Sequence, residues 1–155
     1  MKWFLLSATH VVALALGFAL GVYLLPILTA PPAPDGAELS AKAEGAAYTG
    51  TFSRDLRDSD FLHWGEGQVS VSESLIVHQG QLAPGPDYKL YLVPEFVETE
   101  AGFEQIKAAS LRVGDVKTFN GFVLEVPQGT DLTAYTTVLI WCEAFGEFIT
   151  AARYR

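Results

Sequence analysis

Cys142 is the one cysteine among 155 residues, and His10, His63 and His78 are the three histidines. These four side chains carry the groups that could act near neutral pH as nucleophile, base or soft ligand. The cysteine sits in "TVLIWCEAFGEF", Thr137 to Phe148, directly behind the apolar run Val138–Trp141 and directly before Glu143. A thiol reacts as its thiolate. The charge of Glu143 and the apolar neighbours Trp141, Phe145 and Phe148 both oppose ionisation. A reactive Cys142 therefore needs help from a histidine or a metal centre; without it, cysteine behaves as a small buried hydrophobe. Spacing alone leaves open whether His63 or His78 meets it.

Other chemistries find less support. The histidines are too scattered for zinc or calcium spacing, so no metal site is assigned. There is no Gly-rich phosphate loop and no G-x-S-x-G elbow, and no hydrolytic nucleophile can be named. Asp58 and Asp60, in "RDLRDSDF", form a carboxylate pair on paper. With Arg54 and Arg57 alongside, they read as a solvated mixed-charge loop. The chain is therefore read as something other than a stand-alone enzyme, with a redox role held open.

The elements that must position these residues begin with an anchor. Trp3 to Leu28 contains no Asp, Glu, Lys or Arg. Phe4–Leu25 as a helix measures about 33 Å, against roughly 30 Å of bilayer hydrocarbon. Residues 1–28 are read as a retained transmembrane anchor. A cleaved signal peptide is the alternative, but "LTA" at Leu28–Ala30 offers Leu where a small residue is wanted. Lys2 precedes the span, which sets the N-terminus in the cytoplasm and the remainder outside, in the periplasm or at the cell exterior. Gly17 and Gly21 make a G-x-x-x-G that is ordinary in such helices, and His10 near the helix start receives no role. Residues 29–47 are rich in Pro, Ala and Gly and are expected to serve as a tether with no core of its own.

Residues 48–155 read as all-β. Seven short runs rich in Val, Ile, Thr, Tyr and Phe ("YTGTF", "QVSVS", "SLIVHQ", "YKLYLV", "FVLEV", "TTVLIW" and "EFITAARY") are separated by Gly, Pro, Asn and Asp. "QVSVS" alternates and is expected to be half exposed, whereas "TVLIW" does not alternate and suits a strand buried on both faces. An antiparallel β-sandwich or barrel of about seven strands follows. Glu100–Ala109 and "DLTAY" are expected as short helical pieces, and "CEAFG" as a hairpin connection with Cys142 at a strand end. Apart from Lys2, the chain carries nine basic against 18 acidic residues, a net charge of −9. Such a domain repels nucleic acid and anionic lipid.

The tail "FVLEVPQGTDLTAYTTVLIWCEAFGEFITAARY" resembles the end of the DM13 domain, which runs through "D-L-x-x-Y" into a strand closing "V-x-I-W-C-E-x-F". "GPDYKLYLVP", Gly85–Pro94, and "HWGEGQVSV", His63–Val71, are similar to two further pieces of that family. The resemblance covers Tyr48 to Arg155. It implies a β-sandwich-like extracytoplasmic module, sometimes found beside haem-binding domains, with a role in electron transfer through its cysteine as free thiol or as ligand to a prosthetic group. By motif, Cys142 is that redox position, and with His63 it forms the implied cofactor-binding set, the cofactor being haem or none. No companion haem-binding domain accompanies this stretch, so the implied redox partner is another protein. Two functions stay open: a membrane-anchored electron-transfer module, and a non-catalytic envelope interaction module in which Cys142 is core packing.

Overall fold

The computed structural model describes all 155 residues. The N-terminal helix α1 runs Lys2–Thr29, four residues further at its C-terminal end than the expected span. It keeps Pro26 inside its last turn and stops before Pro31, whose ring forbids continuation. None of its residues is buried. Six residues then lead to a second helix, α2, Gly36–Ala43. Asp35 caps it, accepting a hydrogen bond from the Glu38 N–H at 2.8 Å.

The remainder is two antiparallel four-stranded sheets. One holds β1 (Tyr48–Phe52), β2 (Gly65–Val71), β3 (Leu75–Leu82) and β6 (Phe122–Glu125), in the order β1-β2-β3-β6. The other holds β4 (Tyr88–Val93), β5 (Leu111–Val116), β7 (Thr137–Cys142) and β8 (Glu147–Arg153), in the order β5-β4-β7-β8. The seven expected strands are all present. The eighth, β5, escaped notice because "LRVGDV" carries Arg112, Gly114 and Asp115 and starts two residues after a helical segment. That segment is α3, Glu100–Ile106, continued by a 3₁₀ turn at Lys107–Ala109. A second 3₁₀ turn, Leu132–Ala134, is capped by Asp131 as expected.

Period-two alternation divides the second sheet's side chains between two apolar layers. Val138, Ile140 and Cys142 of β7 face the other sheet and join Val69, Ile76 and Leu90 in the main core. Leu139 and Trp141 face the opposite way and pack with Tyr91, Phe148 and Phe103 of α3. β7 is thus covered on both sides and every one of its residues is buried, which is why its sequence does not alternate. At ~1.5–3 kcal/mol for each large side chain removed from water, these two layers dominate the stability.

"QVSVS" departs from expectation. Ser70, placed outward by alternation, is nonetheless buried, because β2 lies between β1 and β3 and its outer face is shared with buried Val77 across the ladder. The tether also contributes to the core, contrary to the expectation that it would not. Leu39 of α2 is 5% exposed and lies over the first sheet, close to Gly121. Eight residues with one large apolar side chain gave no usable periodic signal.

Candidate functional site

Cys142 is the last residue of β7, at the strand end expected for it. Its cross-strand partners are Tyr88 of β4 and Glu147 of β8. The turn Glu143–Gly146 closes the hairpin, with the Gly146 N–H donating to the Cys142 carbonyl at 2.9 Å. Gly146 has φ +71°, a left-handed conformation that glycine adopts without a Cβ penalty. Alternation sends Trp141 and Glu143 to the far side of the sheet. Phe148 pairs with Trp141 there. The expected company of Trp141 and Phe148 around the thiol is therefore replaced by Tyr88, Glu147 and Ile149.

The far side explains Glu143. Its carboxylate accepts from the Tyr91 hydroxyl and from Lys107 Nζ at 2.7 Å, and Lys107 lies 5.2 Å from the centre of the Trp141 ring. Partial burial pushes the Glu143 carboxyl up, but Lys107 and Tyr91 outweigh it and hold the carboxyl below its usual range. Burial and the Glu143 hydrogen bond together push the Tyr91 phenol up. Glu143 is spent on this cluster and does not face the thiol.

Cys142 lies on the wall of an open cavity of about 440 Å³ at one pole of the sandwich. The lining includes His63, Tyr88, Glu147 and Phe145, with Phe18, Val22 and Tyr23 of α1 closing one side. The Pro84–Pro86 segment contributes too. Gly85 is required there: a Cβ would lie 2.4 Å from the Tyr88 ring, so only glycine lets this loop close over β4. The fold thus brings Cys142 and His63 to one cavity. No hydrogen bond joins them.

His63 is held by Asp60. The Asp60 Oδ1 accepts the N–H groups of Leu62 and His63, each at 2.7 Å, and Oδ2 lies 3.2 Å from His63 Nδ1. Slight burial pushes the Asp60 carboxyl up, but those N–H donors and the imidazole outweigh it and the net direction is down. With Nδ1 engaged, Nε2 is the ring nitrogen left for other work. Asp58 has a different task, accepting the Glu100 N–H at 2.7 Å at the start of α3. The two carboxylates expected to be merely solvated are local organisers.

His78 is excluded from the cavity. It is fully buried between Phe52 and Phe122 in the other sheet, with Nε2 donating to the Glu66 carbonyl at 3.0 Å. Of the two pairings left open for Cys142, only the one with His63 shares a cavity. Sequence spacing could not reveal the roles of Asp60, Tyr88 and Glu147, since each depends on a strand pairing or a loop closure.

Cys142 itself is 2% exposed. Burial pushes its thiol up, and the nearby backbone N–H groups of Phe145, Asp87 and Ala144 only partly offset this. A thiolate ligand is therefore disfavoured in this setting. No three His, Cys, Asp or Glu side chains cluster as a metal site. A haem held through Cys142 does not fit these residues: the sulfur is recessed and biased to its protonated form.

The model of a family described as "Electron transfer DM13" matches residues 55–154, about two thirds of the chain. The chain belongs to the DM13 family. No curated protein and no solved structure matches it. The DM13 match takes in His63, Gly85–Asp87 and Cys142, so every wall of the cavity except α1 falls inside it. α1 is long and apolar enough to cross a membrane, with a mean hydropathy of 2.5, a property it shares with signal sequences.

Proposed function

We propose that this chain is a membrane-anchored DM13 module that exchanges electrons through Cys142, with residues 48–155 as its domain outside the cytoplasm. The observation that carries the reading is the single cavity shared by Cys142 and His63. His63, steadied by Asp60, is the base; Cys142 is the redox group; a protein outside this chain is the partner. One thiol exchanges an electron pair by thiol–disulfide chemistry. His63 Nε2 takes the thiol proton, and Sγ attacks one sulfur of a partner disulfide. The S–S bond breaks as the mixed disulfide forms, and the departing partner thiolate collects a proton. A thiolate of a second partner, which carries a dithiol, attacks the Cys142 sulfur of this mixed disulfide; the first partner's sulfur departs as a thiolate and is protonated. The second partner's other thiolate then attacks its own sulfur in the new mixed disulfide, closing a disulfide and releasing Cys142. The first partner's disulfide is thereby reduced to a dithiol and the second partner's dithiol oxidised to a disulfide, so one electron pair passes through Cys142.

The upward-pushed thiol favours a second reading, in which Cys142 is core packing and the domain is a binding module. The test is the rate of alkylation of the native protein against pH, in the parent and in His63→Ala. Electron exchange through the pair predicts that His63→Ala slows native alkylation near pH 7 by roughly ten-fold or more, in line with the loss of a general base. A thiol inert until denaturation in both proteins would leave the binding-module reading.

A further inference from the structure

Beyond Thr29, three large apolar side chains stand exposed: Phe61 at 85%, Leu62 at 40% and Phe145 at 50%. Phe61 and Leu62 directly precede His63, and Phe145 occupies the β7–β8 turn. Leu62 and Phe145 line the Cys142 cavity, and Phe61 is the next residue in the chain. The opposite pole, with Gln128 and Glu73, carries no such residue. Apolar exposure in this domain is therefore confined to the mouth of the cavity.

α1 fixes the level of that mouth. About 20 helical residues cross roughly 30 Å of hydrocarbon. Counted from Trp3, that length ends at Val22, and Phe18, Ala19, Val22 and Tyr23 are the α1 residues on the cavity wall. The cavity thus sits where the helix would leave the hydrocarbon, and Tyr23 stands at the depth aromatic side chains favour. The carboxylates nearby are Asp60, Asp87 and Glu147, with Lys89 paired to Asp87 and Arg57 three residues before Asp60. Such a rim suits zwitterionic headgroups better than anionic ones.

We propose that Phe61, Leu62 and Phe145 insert into the interface of the bilayer that α1 crosses, so that the Cys142 cavity opens at the lipid surface. This rests on the anchored reading of α1, and the experiment separates the two. The full chain carries Cys142→Ser and one new cysteine, Phe61→Cys, Phe145→Cys, Gln128→Cys or Leu14→Cys. Each bears an environment-sensitive fluorophore and is reconstituted in phosphatidylcholine vesicles, with or without nitroxide-labelled lipid. The labels at 61 and 145 are expected to shift to the blue and lose roughly half or more of their emission to shallow nitroxides, as interfacial side chains do. The label at 128 is expected to stay unquenched, and that at 14 to be quenched by deep nitroxides. Labels at 61 and 145 that behave like 128, while 14 is quenched, overturn the rim proposal and leave the anchor standing. An unquenched label at 14 overturns both. A blue shift at 61 and 145 without lipid quenching means that protein covers the rim, and overturns the proposal. Phe61 is 85% exposed, so its variant removes no core packing and decides the matter if Phe145→Cys fails to fold.

Discussion

His78 and His63 have the same side chain and opposite settings. His63 stands in a surface loop where Asp60 orients it, while His78 is buried with Nε2 bonded to a carbonyl and Nδ1 without a partner. Burial disfavours the His78 imidazolium, and the Glu66 carbonyl offsets this only in part, so the folded pKa is lowered from its ordinary value. As pH falls through about 6.5, the unfolded chain takes up this proton while the folded chain refuses it. Stability is thus full above that pH and is lost below it until the folded His78 titrates. The urea midpoint is expected to fall between pH 7 and 5.5, and His78→Leu to flatten that slope. A slope unchanged in His78→Leu would assign the proton to another group. Spacing left His63 and His78 equally open as partners of Cys142, because a side chain's burial is set by strand pairings that spacing does not encode.

Among the elements, α2 is the one whose contribution is easiest to overlook. It adds one buried side chain, Leu39, and Gln79 donates to the Ser40 hydroxyl at 3.2 Å beside it. Leu39→Ala is expected to cost about 2 kcal/mol, measured by denaturant unfolding, since a buried Leu is removed from a site that can partly collapse. A cost near zero would make α2 a bystander. The strands were the most legible part of the chain. Runs such as "YKLYLV" and "TVLIW" are apolar apart from Lys89 and Thr137 because the second sheet is covered on both faces, and Gly146 marked the β7–β8 turn. β5 was illegible for the converse reason: Arg112 and Asp115 salt-bridge across its solvent side at 2.8 Å and break the apolar pattern. The expected hairpin put Cys142 at a strand end correctly. It could not say which face the thiol takes, because that follows from the register with β4 and β8.

At the scale of the whole molecule, an acidic β-sandwich follows a helix that carries no charge beyond Lys2. We expect a C-terminal reporter active only in the cytoplasm to be silent when fused to the full chain. An active reporter would reverse the orientation, and a mature N-terminus near Pro31 would replace the anchor by a signal sequence. Hydropathy made the long apolar helix itself legible, since it is a property of composition. The cavity was not, because its walls come from four separate stretches between Phe18 and Ile149 that only the folded chain assembles.

The six residues between α1 and α2 reach about 20 Å when fully extended. Leu39 takes up the chain just beyond them, so the slack ends there. With α1 in a bilayer, the domain moves in a sheet of space about as thick as itself. Its search for a partner becomes two-dimensional, governed by copies per area of membrane rather than by bulk concentration. A partner confined to the same membrane would meet it at a high effective concentration. A freely diffusing one would gain nothing from the short leash.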